Sequence, residues 1–377
     1  MTDFLSGFWN YGVVFLLVLT VVVFVHEMGH FLVARWNGVR VDVFSIGFGR
    51  EIWGWTSPKT GTRWRISLLP LGGYVKMFGE SEFDDKPEPL TPEEQAVSFH
   101  HKRVGQRAAI VLAGPLANFV FGIGLLALMF LVFGQATMPP VVGSVIAGSA
   151  AEEAGFRPGD RILSIRGDAI TGFQDIQLMV PLYIGEKLDF VVLRDGKEMA
   201  LSAQPRVTEV PDRFGNVRRT PFLGIGAPNV APEIVRHGLT SAVVTAVKET
   251  GTIISATFTG LGQMISGARE STELGGPLRI AQGAGQAAQL GVGSVAFFVI
   301  LLSINLGLIN LFPVPMLDGG HLAFYAVEAV LGRPLGVRAQ EYGFRVGLFL
   351  VLALMLFATR NDLIELKVWD FFRGLTS

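Results

Sequence analysis

Four stretches of the 377-residue chain are apolar almost without interruption, at about 12–34, 108–133, 292–312 and 346–359. A helix crosses the bilayer core with roughly 20 apolar residues, so each stretch predicts a membrane span. The fourth is short, and its flanking Arg345 and Arg360 are long enough to snorkel toward the two interfaces. No Lys or Arg precedes the first stretch and no small-residue cleavage site follows it, so it reads as a retained span rather than a removed leader. Between the first two spans, "VRVDVFSIGFG", "REIWGW" and "RWRISLLPLGGYVKMFG" alternate apolar and polar positions around a "SPKTG" turn. That pattern predicts a small sheet over 39–80 at the membrane face. The acidic, Pro-rich "GESEFDDKPEPLTPEEQ" (79–95) predicts a linker, and "HKRVGQR" a basic collar before the second span.

The region between the second and third spans is patterned differently. Over 138–208 it predicts a strand, a short helix with Ser149 as N-cap, a Pro-Gly-Asp turn into a strand, the helix "FQDIQLMV", and a hairpin with Asp195-Gly196 at its tip. This order resembles a PDZ domain in the circularly permuted bacterial form, in which the peptide-binding loop comes late. "FLGIG" (222–226), with Leu223, Gly224 and Ile225, is either that loop or an ordinary strand. The following helical stretch, 233–268, is interrupted by Arg236, Lys248 and Glu249, which favours an interfacial or buried helix over a fifth span.

Composition agrees with a membrane protein: 17% charged residues against about 25% in soluble domains, and a mean hydropathy of +0.46. A net charge of −1 argues against nucleic acid as a partner and leaves the lipid bilayer as the surface to expect. Without cysteine, any metal must be held by His, Asp or Glu. Residues 1–34 hold no Lys or Arg, whereas basic residues recur from Arg35 to Arg107. By the positive-inside rule, that loop is expected in the cytoplasm and the N-terminus outside, with 135–290 also outside and the loop bearing Arg333 and Arg338 inside.

Against this background the first span contains "HEMGH". Ionisable side chains inside a span are costly and mark function. On a helix, His26 and His30 fall one turn apart on one face and can share a zinc ion, while Glu27 stands beside the metal as a general base. A third ligand is expected nearby in space. The third span runs into "NLFPVPMLDGGH" (310–321), where Pro313 and Pro315 must break the helix and Gly319-Gly320 permits a turn. Irregular backbone at membrane depth lines a protein cavity, which makes Asp318 the natural ligand, with His321 as a competitor. Asn310 either aids a developing oxyanion or satisfies a frayed helix end. "GPLAN", with Gly114, Asn118 and Gly122 at four-residue spacing, predicts close helix packing around the site. His100 and His101 are expected to face solvent or headgroups.

"HEMGH" in the first span, "GPLAN" in the second, "NLFPVPMLDG" after the third and a PDZ-like insert between the last two together resemble the site-2 protease family, in its bacterial regulator of sigma-E protease group. The resemblance spans nearly the whole chain; the departure is one PDZ-like unit where better-known relatives of the group carry two. It implies a polytopic α-helical membrane protein of about four spans, with a membrane-associated β-sheet and an inserted periplasmic PDZ-like domain. The expected segments are 1–37 (first span), 38–106 (cytoplasmic β-region and linker), 107–134 (second span), 135–230 (PDZ-like), 231–290 (outer helical region), 291–320 (third span) and 321–377 (loop, fourth span and tail). The resemblance favours Asp318 over His321 beside His26 and His30, with Glu27 as base. It implies a bacterial inner-membrane enzyme that cuts membrane segments of single-span proteins, such as an anti-sigma factor or remnant signal peptides. Two rival readings are an adaptor working through its PDZ-like unit and an ion transporter using His26, Glu27, His30 and Asp318 as a relay. The absence of inverted repeats weighs against the transporter.

Overall fold

The computed structural model describes residues 2–80, 90–183, 185–211, 217–267 and 274–365. It divides into two units, Met1–Leu126 with Thr272–Ser377, and Ala127–Ser271. The chain enters with α1 (Thr2–Trp36). Its Val-rich sequence suits strands in water, but in lipid every backbone group must be satisfied within the segment, so the helix prevails. A Schellman motif ends it: Gly38 at φ +69° donates to the Arg35 carbonyl and Val39 to that of Ala34. Two long strands follow, β1 (Val41–Thr56) and β2 (Arg63–Met77). They form more than a plain hairpin. The first half of β1 lies between the two halves of β2, so Phe44 is paired with Val75 on one side and Trp64 on the other. Phe44, Phe31 and Trp64 form an aromatic cluster, with Phe44 stacked on Trp64 at 4.5 Å, that holds the sheet against α1. Ile52, Trp53, Trp55, Leu68, Leu69 and Leu71 stay exposed on the sheet, an apolar surface suited to the membrane interface.

Of the expected linker, 81–89 lie outside the described residues. Its end is ordered instead as α2 (Pro92–Val97), closed by a capping box between Thr91 and Glu94. Then α3 (Val104–Val132) carries the second span, with Pro115 inside it.

The second unit begins with β3 (Gln135–Thr137), β4 (Ser144–Val145) and α4 (Ala150–Glu153), whose N-cap is Ser149. It continues through β5 (Arg161–Ile165), β6 (Asp168–Ala169), α5 (Phe173–Met179), β7 (Leu188–Arg194) and β8 (Lys197–Ala203). The four-stranded sheet runs β6-β5-β7-β8, and Asp195 and Gly196, both at positive φ, form the turn between its last two strands. Three further antiparallel pairs complete the unit. One is the hairpin of β9 (Arg206–Pro211) and β10 (Val217–Phe222); the others are β11 (Ile225–Gly226) on β4 and β12 (Glu233–Val235) on β3. The core gathers Ile162, Ile165, Ile176, Leu188, Phe190 and Val192. The helix expected from 233 begins later, as α6 (Leu239–Ile265), because 233–235 are drawn into the pairing with β3.

The first unit resumes with α7 (Pro277–Leu290), α8 (Val292–Asn310), α9 (Asp318–Leu331) and α10 (Val337–Glu365). Among the described residues, the helices long and apolar enough to cross a membrane are Tyr11–Trp36, Val104–Val132, Val292–Asn310 and Arg338–Ile364. The fourth is longer than its apolar run, because its polar end is used: buried Asp362 accepts from the N–H groups of Gly276, Leu278 and Arg279 and caps α7.

In the second unit, Asp160 is 1% exposed and takes two hydrogen bonds from Arg194, at 2.6 and 2.7 Å. Burial alone raises its pKa, but Arg194 and the Arg157 N–H outweigh burial and hold it below the usual carboxylate range. A depressed folded-state pKa stabilises the fold above the unfolded value of about 3.9, and that contribution is lost as pH falls through the folded value. Asp160→Asn is expected to cost about 2 kcal/mol at neutral pH and to flatten the acid limb of the stability curve. Proteolytic resistance of 138–208 in the detergent-solubilised chain, measured against pH, checks both effects.

Candidate metal centre

The "HEMGH" turn lies in the C-terminal third of α1, and its two imidazoles meet edge to face, centroids 4.8 Å apart. Their Nε2 atoms are 3.2 Å apart, and each residue is 8% exposed. Asp318 opens α9 and brings Oδ2 to 3.1 Å from His26 Nε2 and 3.6 Å from His30 Nε2. Although that oxygen is this close to both rings, it has no partner with hydrogen-bond geometry and is sealed from solvent. Two imidazole nitrogens and a carboxylate oxygen, all within 4.8 Å of one another, leave an orphaned buried acceptor aimed into their midst. That donor set suits a catalytic zinc ion with an open fourth position. Among the described residues it is the one such group of three.

Four local features make the approach feasible. Gly29 of α1 faces the Ala113 carbonyl of α3, which a Cβ would strike. Gly114 of α3 faces the rings, and a Cβ there would run into His30 Nε2 and come within 2.9 Å of His26 Cε1. On the other side, Gly73 of β2 lets the strand lie against α1, where a Cβ would stand 3.4 Å from Glu27 Cγ. The fourth is the break after α8. Pro313 and Pro315 interrupt the backbone there, and the turn itself falls at Met316, at φ +88°. Gly319 and Gly320, expected to form that turn, instead lie in the first turn of α9. They are small because the carbonyls of Leu311, Phe312 and Val314 press directly on them.

His30 Nδ1 donates to the Ile110 carbonyl at 2.9 Å, which fixes the ring and leaves its Nε2 lone pair toward the trio. His26 Nδ1 has the Asn118 amide at 3.3 Å. The sequence pattern assigned Asn118 to helix packing. Its contact with His26 was missed because 92 residues separate the two in the chain. Glu27 and Asn310 both line a cavity of about 690 Å³ that opens on the trio, along with Gly72, Gly73, Tyr74 and Val75 of β2. His321 lines it too, outside the trio and against Phe344. His100, expected at the surface, also borders the cavity, where its Nε2 pairs with the Glu80 carbonyl at 2.8 Å. Leu223, Gly224 and Ile225 belong to the other unit. There Leu223 is buried, its carbonyl accepts from Ala151 and that of Gly224 from Ile146, and Gly224 takes φ +94°.

Apolar helices enclosing a His–His–Asp trio beside a glutamate define a membrane-embedded metallohydrolase. Residues 14–354 match peptidase family M50. A protein of Agrobacterium fabrum named as a candidate zinc metalloprotease is 44% identical over 372 residues, 97% of this chain and 98% of its own length. Metalloprotease MmpA of Caulobacter vibrioides is 38% identical over 397 aligned positions, covering 98% of this chain and 99% of that one. Among solved structures, the PDZ domain of an SdrC-like protein from Listeria monocytogenes covers 25% of this chain and 87% of its own, at 20% identity and a TM-score of 0.18. The chain belongs to peptidase family M50, the site-2 proteases, and is a membrane zinc metalloprotease.

Gly114→Ala is expected to strip zinc from the centre while leaving the protein helical and membrane-bound. Metal analysis of the purified variant beside wild type checks this, and a full zinc equivalent in the variant would contradict the crowding seen here.

Proposed function

We propose that His26, His30 and Asp318 hold the zinc ion and that the protein hydrolyses peptide bonds within membrane segments of single-span proteins. The observation that carries this reading is the buried trio with its unpartnered carboxylate oxygen, next to Glu27 in a cavity at the depth of a span. Bound zinc supplies Lewis acidity toward a scissile carbonyl and toward water. Glu27 takes the proton of the attacking water and later delivers it to the leaving amine. Asn310, at the end of α8, directs its amide toward the carbonyl oxygen as charge develops. A helical substrate must first unwind, and β2 borders the cavity at Gly72–Val75, where an extended segment can pair with the strand.

In this reading the protein lies in the inner membrane of a bacterial cell, with the second span's basic flank facing the cytoplasm and the N-terminus and residues 135–230 facing the periplasm. That unit acts as a PDZ-type reader, with Leu223, Gly224 and Ile225 as the loop that receives a peptide terminus; 231–290 connects it to the third span. Substrates are single-span proteins already shortened outside the membrane, such as an anti-sigma factor or a remnant signal peptide.

The deciding experiment compares wild type and Glu27→Gln, purified in detergent, on a model single-span substrate with zinc counted in both. Glu27→Gln should keep its zinc and lose about 10²–10⁴-fold in rate. An active Glu27→Gln enzyme would remove Glu27 from the chemistry. Deleting 138–208 should change which spans are cut while leaving zinc content intact, and loss of zinc on deletion would refute that division of labour.

A further inference from the structure

The two imidazoles are not held alike. Both are supported by one face of α3, where Ile110, Gly114 and Asn118 recur at four-residue spacing. His30 Nδ1 meets a backbone carbonyl, which can only accept. His26 Nδ1 meets a side-chain amide, which can donate or accept according to how it is turned. As the amide stands, Nδ2 faces the ring and Oδ1 has no partner, although Asn118 is wholly buried. An unpaired acceptor of this kind is costly. Its surroundings are nonetheless fixed: Ser303 Oγ on α8 donates to the Asn118 carbonyl at 3.0 Å, and a Cβ at Gly307 would stand 3.3 Å from Asn118 Cβ.

The chemistry of ligation settles which way the amide must point. A neutral imidazole carries one N–H. If Asn118 donates to Nδ1, the ring's proton sits on Nε2, pointing at His30 Nε2 and Asp318 Oδ2, where a ligand lone pair is needed. For His26 to bind metal through Nε2, the proton must sit on Nδ1, and the group there to receive it is the Asn118 amide. A half-turn about Cβ–Cγ places Oδ1 opposite Nδ1–H, which gives the orphaned oxygen its partner.

We propose that Asn118 is a positioning residue of the zinc site: its side-chain oxygen accepts from His26 Nδ1–H, fixes the ligating tautomer, and thereby sets zinc affinity. The inference rests on the assignment of His26, His30 and Asp318 as ligands. Asn118 touches neither substrate nor metal. It acts through the ring, as the Ile110 carbonyl does on His30.

A packing role and an acceptor role predict opposite rankings of two variants. Asn118→Leu keeps the branched outline of the side chain but accepts nothing. Asn118→Asp accepts more strongly but buries a charge. Zinc affinity of the full-length protein in detergent, measured by competition with a chromophoric chelator, is the readout, with melting of the metal-free forms as a check on folding. The acceptor role predicts that Asn118→Leu loses about 10- to 100-fold in zinc affinity while Asn118→Asp matches or exceeds wild type. Equal affinity for Asn118→Leu and wild type, or Asn118→Leu binding better than Asn118→Asp, overturns the proposal. Should Asn118→Leu fail to fold, Asn118→Ala takes its place, and the acceptor role still requires Asn118→Asp to bind more tightly. His30→Ala separates the two levels: zinc retained there, or none bound by wild type, refutes the ligand assignment and this inference with it. Wild-type zinc with an indifferent Asn118 refutes this inference alone.

Discussion

A polar group at bilayer depth has no water to turn to, so its partner must be supplied by the protein. The first unit is arranged around that constraint. Two imidazoles and a carboxylate are placed among apolar helices: Ile110 and Asn118 on α3 meet the rings, and Asp318 stands within 3.6 Å of both rings with one oxygen left for a metal to satisfy. The same rule explains Asp362, which enters the protein from the end of α10 and is consumed in capping α7. It also explains Arg107, paired with Glu328 and lying 4.9 Å over the ring of Tyr325. None of these charged groups is left facing hydrocarbon.

The centre is therefore an agreement among segments far apart in the chain. Helix α1 contributes His26, Glu27 and His30, α9 Asp318, α3 the Ile110 carbonyl and the Asn118 amide, and β2 one wall of the cavity. The sheet reaches this position because β1 and β2 interleave. The aromatic group of Phe31, Phe44 and Trp64 then fixes it to the helix that carries the histidines. Glycines at the crossing points let the backbones come close enough for the three side chains to meet.

What the sequence disclosed depended on how local the signal was. His26 and His30 are legible because helical spacing alone puts them on one face, and Glu27 because it follows the first of them directly. Prolines at membrane depth point to a cavity around 310–321, and the family resemblance then favours Asp318 over His321 within it. The module at 138–208 was readable down to Ser149 and the Asp195-Gly196 turn, since caps and turns are short-range devices. Other features escaped for the opposite reason. That Phe44 has a neighbour on each side, that 233–235 pair with β3, that His100 borders the cavity and that Asn118 faces His26 are all facts about residues distant in sequence. The fourth span reads short in sequence because Arg345 and Arg360 bound its apolar run, and only the fold shows that the helix continues past them and where Asp362 is spent. Gly319 and Gly320 show a subtler error: the residue type was read correctly, but small size rather than backbone freedom is what α9 uses.

The crossing of α1 and α3 has a consequence for biosynthesis. Insertion into the bilayer depends on summed hydropathy along each span, to which Gly29 and Gly114 contribute almost nothing. The fit of these helices around the imidazoles is decided at those two positions, where even a methyl group collides. A chain carrying such an error would pass through the translocation machinery, adopt its full complement of spans and accumulate in the membrane like any other. Quality control that reads apolarity has no means of detecting the defect. It would surface only downstream, in the persistence of whatever proteins the protease no longer cuts.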